Sequence, residues 1–277
     1  MFTFAPVNKT NVMGIDNAVL NRTRLLLGDE TMERIGRARV IIFGVGGVGS
    51  WCAESLVRSG VRHMTIVDSD RVCITNINRQ LMATTETIGR VKVEALKEHL
   101  LTVNPAAEID ARQEIFTAET ASGFDLDGYD YIIDAIDSLA DKALLIELAC
   151  RTRAGFFSSM GAALKLDPTR VRVAEFWRVE GCPLARALRQ RFKRLKCRPA
   201  RKFLCVYSDE LLGNKGTAGP CGAEECVCAK AASVISPLAA DGHTRKAQTN
   251  GSLMHITAIF GLTIAGLVIK DLSAEVR

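Results

Sequence analysis

Residues 44 to 49 read Gly-Val-Gly-Gly-Val-Gly, and a carboxylate, Asp68, stands 19 residues beyond the last of those glycines. Glycines at this spacing let a backbone turn tightly against a phosphate, and a helix opening just after them offers free N–H groups and a positive dipole end. A carboxylate that far downstream is placed to accept hydrogen bonds from ribose hydroxyls. Gly44, Gly46, Gly47, Gly49 and Asp68 therefore point to a nucleotide. Alone they suit a nicotinamide or flavin dehydrogenase equally well, and the bland alternative is a glycine turn holding no ligand. The residues that follow argue for phosphate chemistry. Hydride transfer has no evident need for Asp70, Arg79 and Lys92 on that edge. An enzyme that polarises a triphosphate does, since Asp70 can hold Mg²⁺ while Arg79 and Lys92 neutralise charge building on the α-phosphate and departing pyrophosphate. Asp134-Ala135-Ile136-Asp137 brings a further carboxylate to the same place.

The elements that must position these groups can be read from hydrophobic spacing. Residues 39–43 form a β-branched apolar run, 50–59 a helical pattern, and 64–67 a second strand ending at Asp68, which makes a β-α-β unit. A helix over 92–101, strands over 108–111 and 129–133, a helix over 142–154 and a strand over 155–159 continue the alternation. This pattern predicts an α/β fold, a doubly wound, mostly parallel Rossmann-like sheet whose ligand site lies beyond the strand C-termini. We divide the chain into an N-terminal helical arm (1–37), an ATP-binding Rossmann-like domain (38–180), a basic and cysteine-containing insertion (181–250) and a C-terminal closing element (251–277).

Composition narrows the class. The chain has 277 residues, 48% hydrophobic and 24% charged, enough apolar material for a sizeable core without staples. The N-terminus lacks the basic and apolar stretches of a secretory signal, and the cysteines inside apolar patterns (Cys52, Cys73, Cys150) suggest reduced thiols in a cytoplasmic protein. The most apolar stretch, 255–269, falls short of the roughly 20 residues that span a bilayer and reads as a packed helix, with no integral membrane span; membrane-surface attachment is its minor alternative.

In order along the chain, Gly-x-Gly-Gly-x-Gly, the Asp68-x-Asp70 pair, Asn76-x-x-Arg79-Gln80, Gly89-x-x-Lys92 and Asp134-x-x-Asp137 resemble the ubiquitin-activating-like adenylyltransferases, from about residue 22 to 162. The resemblance implies ATP and Mg²⁺ as cofactors, with Asp68 on ribose, Asn76, Arg79, Gln80 and Lys92 around the phosphates, and the metal at Asp70 and Asp137. Arg22 stands where the family places an arginine that reaches into a partner subunit's site, which implies a homodimer; locally it could equally be a solvated residue flanking a helix. Within the superfamily the chain is most similar to enzymes that cyclise threonylcarbamoyladenosine in tRNA. Asn21-Arg22-Thr23, Val72-Cys73-Ile74-Thr75-Asn76, Ser158-Ser159-Met160-Gly161-Ala162 and Asn250-Gly251-Ser252 carry that likeness, which is looser in the C-terminal third. It implies ATP-dependent dehydration through a carboxyl adenylate, with tRNA as partner. A sulfur-relay partner and a monovalent cation stay open. The alternatives are adenylation of a sulfur-carrier C-terminus and a noncatalytic nucleotide-binding partner.

Two features remain. Cys221, Cys226 and Cys228 have no usual zinc spacing, and zinc is less expected than free thiols even if Cys182, Cys197 or Cys205 could complete a set. No cysteine stands just before the segment Gln248 to Ser252, where some dehydratases carry one, which weakens an obligatory thioester step. Residues 186–202 hold nine Lys or Arg and no acid. A solvated helix is the plain reading, but such charge attracts RNA phosphates, and we take phosphate contact as the expectation. Phe192 and Trp177 read as packing residues rather than base-stacking platforms.

Overall fold

A computed structural model describes residues 18–216 and 250–274. Its centre is a seven-stranded sheet in the order β3-β2-β1-β4-β5-β7-β6. The strands are β1 (Arg39–Phe43), β2 (His63–Val67), β3 (Glu108–Arg112), β4 (Tyr131–Asp134), β5 (Gly155–Ser159), β6 (Val171–Glu175) and β7 (Leu204–Ser208). All neighbours pair parallel except β6, which runs antiparallel to β7 at the edge. The order reverses between β1 and β4, and that split opens the crevice in which such sheets bind ligands.

Alternation along the strands sorts side chains to two layers. Val40, Ile42, Ile66, Ile133 and Val206 face α3 (Gly49–Arg58), α4 (Lys92–Val103) and α7 (Met254–Ser273). Ile41, Phe43, Ile132, Phe156 and Tyr207 face α5 (Leu139–Ala149) and α6 (Pro183–Arg194). Two short helices, α1 (Asn21–Leu27) and α2 (Asp29–Arg37), precede the sheet, with Leu20 and Met32 meeting Gly60 just past the end of α3.

Four expectations shift. The segment 181–250 was read as an addition to the sheet, yet β7 from within it pairs with both β5 and β6. Helix α5 starts three residues earlier and ends five earlier than the apolar pattern suggested. Its Lys142 is buried against β4, and the Thr152 hydroxyl closes the C-terminal turn on Ala149 O at 2.9 Å. Strand β6, where Arg172 interrupts the apolar residues, was not foreseen. The last helix runs 20 residues rather than fifteen, and by length and composition Met254–Leu272 could cross a membrane. Here it packs on α3, where Gly261 permits the contact: a Cβ there would lie 2.3 Å from Val48 O and 2.8 Å from Cys52 N.

Candidate active site

The glycine turn leaves β1 at its C-terminal end. Gly44 takes φ +85°, and a Cβ on it would sit 2.7 Å from Ala135 O, so only glycine lets this turn pass the end of β4. Gly49 is equally constrained, since a Cβ would meet Gly44 O at 1.9 Å. Gly46 and Gly47 lie between, their faces turned toward Gln80 and toward Thr257 and Arg79. Ser50, at the start of α3, donates to Gly46 O at 2.7 Å and fixes the turn from below.

Asp68 follows β2 at the same edge. Its Oδ2 accepts from Val45 N at 2.9 Å and its Oδ1 from Asp70 N at 2.9 Å, so the carboxylate spans the glycine turn and the next loop. Lys92 opens α4 almost fully buried. Its Nζ donates to Asp70 Oδ2 at 2.7 Å and lies 3.9 Å from Asp68 Oδ1. Burial pushes the Asp68 carboxyl above the usual carboxylate range against the pull of Lys92. Burial works against the Lys92 charge too, but Asp68, Asp70 and Asp137 together hold that ammonium above its ordinary value. Lys92 is therefore a charged group in a dry wall, with three carboxylates within its field.

The loop between Asp70 and Lys92 carries the phosphate-facing candidates. Asn76 is buried and its Oδ1 accepts from Cys73 N at 3.0 Å, which ties up the side chain in the loop. Asn76 O then accepts the Arg79 and Gln80 amides. Arg79 donates through Nη1 to Thr75 O at 2.9 Å and to Asn78 Oδ1 at 3.0 Å. Its backbone is held by Trp51, whose Nε1 donates to Arg79 O at 3.0 Å. Gln80 is buried beside Gly46, and its Oε1 has no hydrogen-bond partner among the described residues. The Gln80 atom nearest Gly46 is Nε2, an amide donor of the kind that suits a phosphate oxygen on the glycine turn.

Asp134 and Asp137 part company. Asp137 is exposed at the edge, near enough to act on Lys92. Asp134 is wholly buried with Lys142, both at 0% side-chain exposure, 2.8 Å apart. Ser158 donates to Asp134 Oδ2 at 2.6 Å and Ile136 N to Oδ1 at 3.1 Å, while Lys142 also donates to Ile136 O at 2.9 Å. Burial raises the Asp134 carboxyl, with Lys142 the main opposing influence. This network fixes the turn that presents Asp137. Sequence reasoning had Lys142 only as the start of a helix and Ser158 only as part of a family stretch with no role of its own; a lysine directly before the apolar run Ala143-Leu144-Leu145-Ile146 was the available signal.

Arg22 is not brought to this cluster. It lies exposed on α1, whose neighbour Leu20 packs by Gly60 at the far end of α3. Among the described residues no cluster of three or more metal-ligating side chains exists. Mg²⁺ needs only one or two carboxylates when phosphates supply the rest, and Asp70 and Asp137 fit that donor set. Cys221, Cys226 and Cys228 lie outside the described residues. Among the described thiols, burial raises Cys52 and Cys205 and pushes Cys150 up to about 11.

Sheet, split and charged edge define a nucleotide-binding α/β protein whose site is equipped to neutralise a reacting triphosphate. The chain belongs to the ThiF family, whose model matches residues 20–275. It is similar to the tRNA threonylcarbamoyladenosine dehydratase of Escherichia coli, 32% identical over 258 residues that cover 91% of this chain and 92% of the relative. The crystal structure of the E. coli tRNA N6-threonylcarbamoyladenosine dehydratase in complex with ATP superposes with a TM-score of 0.76 at 27% identity, covering 97% of each chain. Similarity to the sulfur carrier protein adenylyltransferase of Thermus thermophilus, 34% over 123 residues, covers 44% of this chain and 45% of that one.

Proposed function

We propose that the chain is an ATP-dependent enzyme that dehydrates threonylcarbamoyladenosine in tRNA through a carboxyl adenylate. The observation that carries this reading is the dehydratase likeness over nearly the whole chain, β6, β7 and α7 included, joined to a charged site of the kind adenylation requires. Similarity to a carrier-activating enzyme is confined to under half of the chain.

In this reading ATP lies along the glycine turn, its ribose on Asp68 and its phosphates toward Arg79, Lys92 and Gln80. The substrate carboxylate attacks the α-phosphate, forming a mixed anhydride and releasing pyrophosphate. Arg79 and Lys92 stabilise the charge that develops, acting from a preformed and partly dry wall. The ureido group then attacks the activated carbonyl, closes a ring and expels AMP; the oxygen lost from the substrate leaves on AMP, so the sum is removal of one water. The second step is intramolecular and needs little from the protein beyond holding both ends together. Mg²⁺, held by Asp70 and Asp137 with phosphate oxygens, would supply charge neutralisation.

The reading extends to a cytoplasmic homodimer in which Arg22 of one copy completes the other copy's site. Its support is that Arg22 lies exposed on a helix whose Leu25 and Leu26 are 80% and 82% exposed, apolar surface that a second copy would cover. Purified protein with Mg-ATP and tRNA bearing the modified nucleoside should yield a nucleoside lighter by one water, and Arg79→Ala should yield none. Pyrophosphate release with an unchanged nucleoside would transfer the proposal to carrier-protein adenylation.

A further inference from the structure

The nine cations of residues 186–202 are not used alike. Arg189 is turned inward, donating to Phe176 O at 3.0 Å and Val179 O at 2.8 Å, and Arg201 caps Ala149 O and Ala154 O. Arg191 is half-buried with its Nε enclosed, whereas Arg186, Lys193, Arg194, Lys196, Arg198 and Lys202 stay exposed, and none of these six forms an ion pair among the described residues. Elsewhere the surface behaves differently: Arg24, Arg37, Arg58, Arg90, Arg112 and Arg151 each meet an acid. The nearest preceding acid with a described partner, Glu175, caps Trp177 N rather than a cation.

Placement gives this charge a direction. Helix α6 begins at the catalytic edge, its Leu184 Cβ lying 3.8 Å from where a Cβ on Gly161 would stand, just past the C-terminal end of β5. It buries Ala185, Leu188 and Phe192 over β5 and β7 and runs to the opposite edge, a length of about 18 Å. Strand β7 is two places from β4, about 10 Å at ordinary strand spacing. The stripe ends in a surface pocket of about 460 Å³ lined by Phe192, Lys193, Lys196, Cys197 and Arg198, with the Arg198 guanidinium 5.4 Å over the Trp177 ring.

We propose that this stripe binds the sugar-phosphate backbone of the tRNA stem while the modified adenosine occupies the catalytic edge. The inference rests on the dehydratase reading. Duplex RNA is recognised chiefly through shape, phosphates and 2′-hydroxyls, and a row of unneutralised cations running from α6 into the segment after it suits that surface without reading sequence.

The test is the variant Arg194→Gln/Lys196→Gln/Arg198→Gln against a control of equal charge loss, Arg37→Gln/Arg58→Gln/Arg172→Gln, in the full-length protein. The stripe variant should raise KM for tRNA about 10- to 100-fold and lower the slope of log KM against log salt by about 2 to 3, with kcat and KM for ATP unchanged. The control should leave tRNA KM within about twofold, and a trinucleotide carrying the modified adenosine should be handled alike by wild type and stripe variant. Equal tRNA KM and salt slope in the two variants overturns the surface while leaving the dehydratase reading intact. If wild type dehydrates no substrate, the dehydratase reading fails, and filter binding of unmodified tRNA then judges the surface alone. Unaltered tRNA binding with lost retention on anionic phosphatidylserine vesicles would assign the stripe to a membrane and refute the proposal.

Discussion

Replacing Lys142 by methionine keeps most of the side chain's length and removes its charge, which isolates what the ammonium does beneath the candidate site. In the wild type it neutralises Asp134 at 2.8 Å and donates to Ile136 O at 2.9 Å, with both residues fully buried. Breaking one partner of a buried pair typically costs about 3 to 5 kcal/mol, because the other charge is stranded. A native domain has only about 5 to 15 kcal/mol in hand, so Lys142→Met should fold marginally. The pH dependence is specific. The Asp134 carboxyl already titrates above its ordinary value because of burial, and losing Lys142, its main opposing influence, raises it further. A carboxyl with a raised folded-state pKa costs the fold its full penalty above that pKa, and the penalty shrinks as pH falls through it toward the unfolded-state value. The variant's deficit should therefore be largest at pH 8 and shrink toward pH 5.5. Asp134→Asn/Lys142→Met, which removes both charges, should recover more than half of the loss. Guanidinium unfolding followed by Trp51 and Trp177 fluorescence measures all three quantities. A deficit below about 1 kcal/mol, or one equal at both pH values with no recovery in the double variant, would refute the reasoning.

The site makes three further predictions. Gly44→Ala must place a Cβ 2.7 Å from Ala135 O at a positive φ; about 2 to 4 kcal/mol of stability and ATP binding by calorimetry should both be lost. Lys92→Met should lower ATP–pyrophosphate exchange about 10²- to 10³-fold, and Lys92→Arg should fail to rescue it, since a guanidinium exceeds the buried slot between Asp68 and Asp70. If Arg22 serves the neighbouring copy, Arg22→Ala and Arg79→Ala proteins, each inactive alone, should regain roughly a quarter of wild-type activity when mixed, by the statistics of subunit exchange at a two-fold interface; no recovery after demonstrated exchange sinks that assignment.

How much of this was legible in the chain depended on whether a residue's role was local. Runs 39–43 and 155–159 match β1 and β5 to the residue, because continuous apolar strands bounded by turn residues leave little choice. Strand β6 was missed because an edge strand with Arg172 and Glu175 carries no clean apolar period, and β7 because it sits behind nine cations that dominate the segment's character. Helix α7 exceeded its apolar run because polar Lys270, Asp271 and Ser273 continue it, Asp271 accepting from the Tyr131 hydroxyl at 2.7 Å and Ser273 returning its hydroxyl to Ile269 O. At the site, the identities of Asp68, Asp70, Arg79 and Lys92 could be read from order and spacing. The division of labour between Asp134 and Asp137 could not, because it depends on Lys142 and Ser158 arriving from two other elements.

The loop from Asp70 to Lys92 looks long for a catalytic element that must be rigid, yet its fastenings resolve the difficulty. Lys92 N donates to Asp70 O at 3.0 Å and closes the loop at its base. Trp51 from α3 holds Arg79 O, and Asn78 Nδ2 donates to Ser252 O at 2.9 Å, just before α7. Arg79 is thus anchored to the helix that starts at the glycine turn, and the next residue back is anchored to the entrance of the helix packed on it through Gly261. Electrostatic stabilisation is worth most when the charges need not reorganise as the reaction proceeds. Folding, rather than ATP, does the ordering here, so a substitution at Gly261 should act on catalysis as well as stability: displacing α7 from α3 moves both anchors of Arg79 at once.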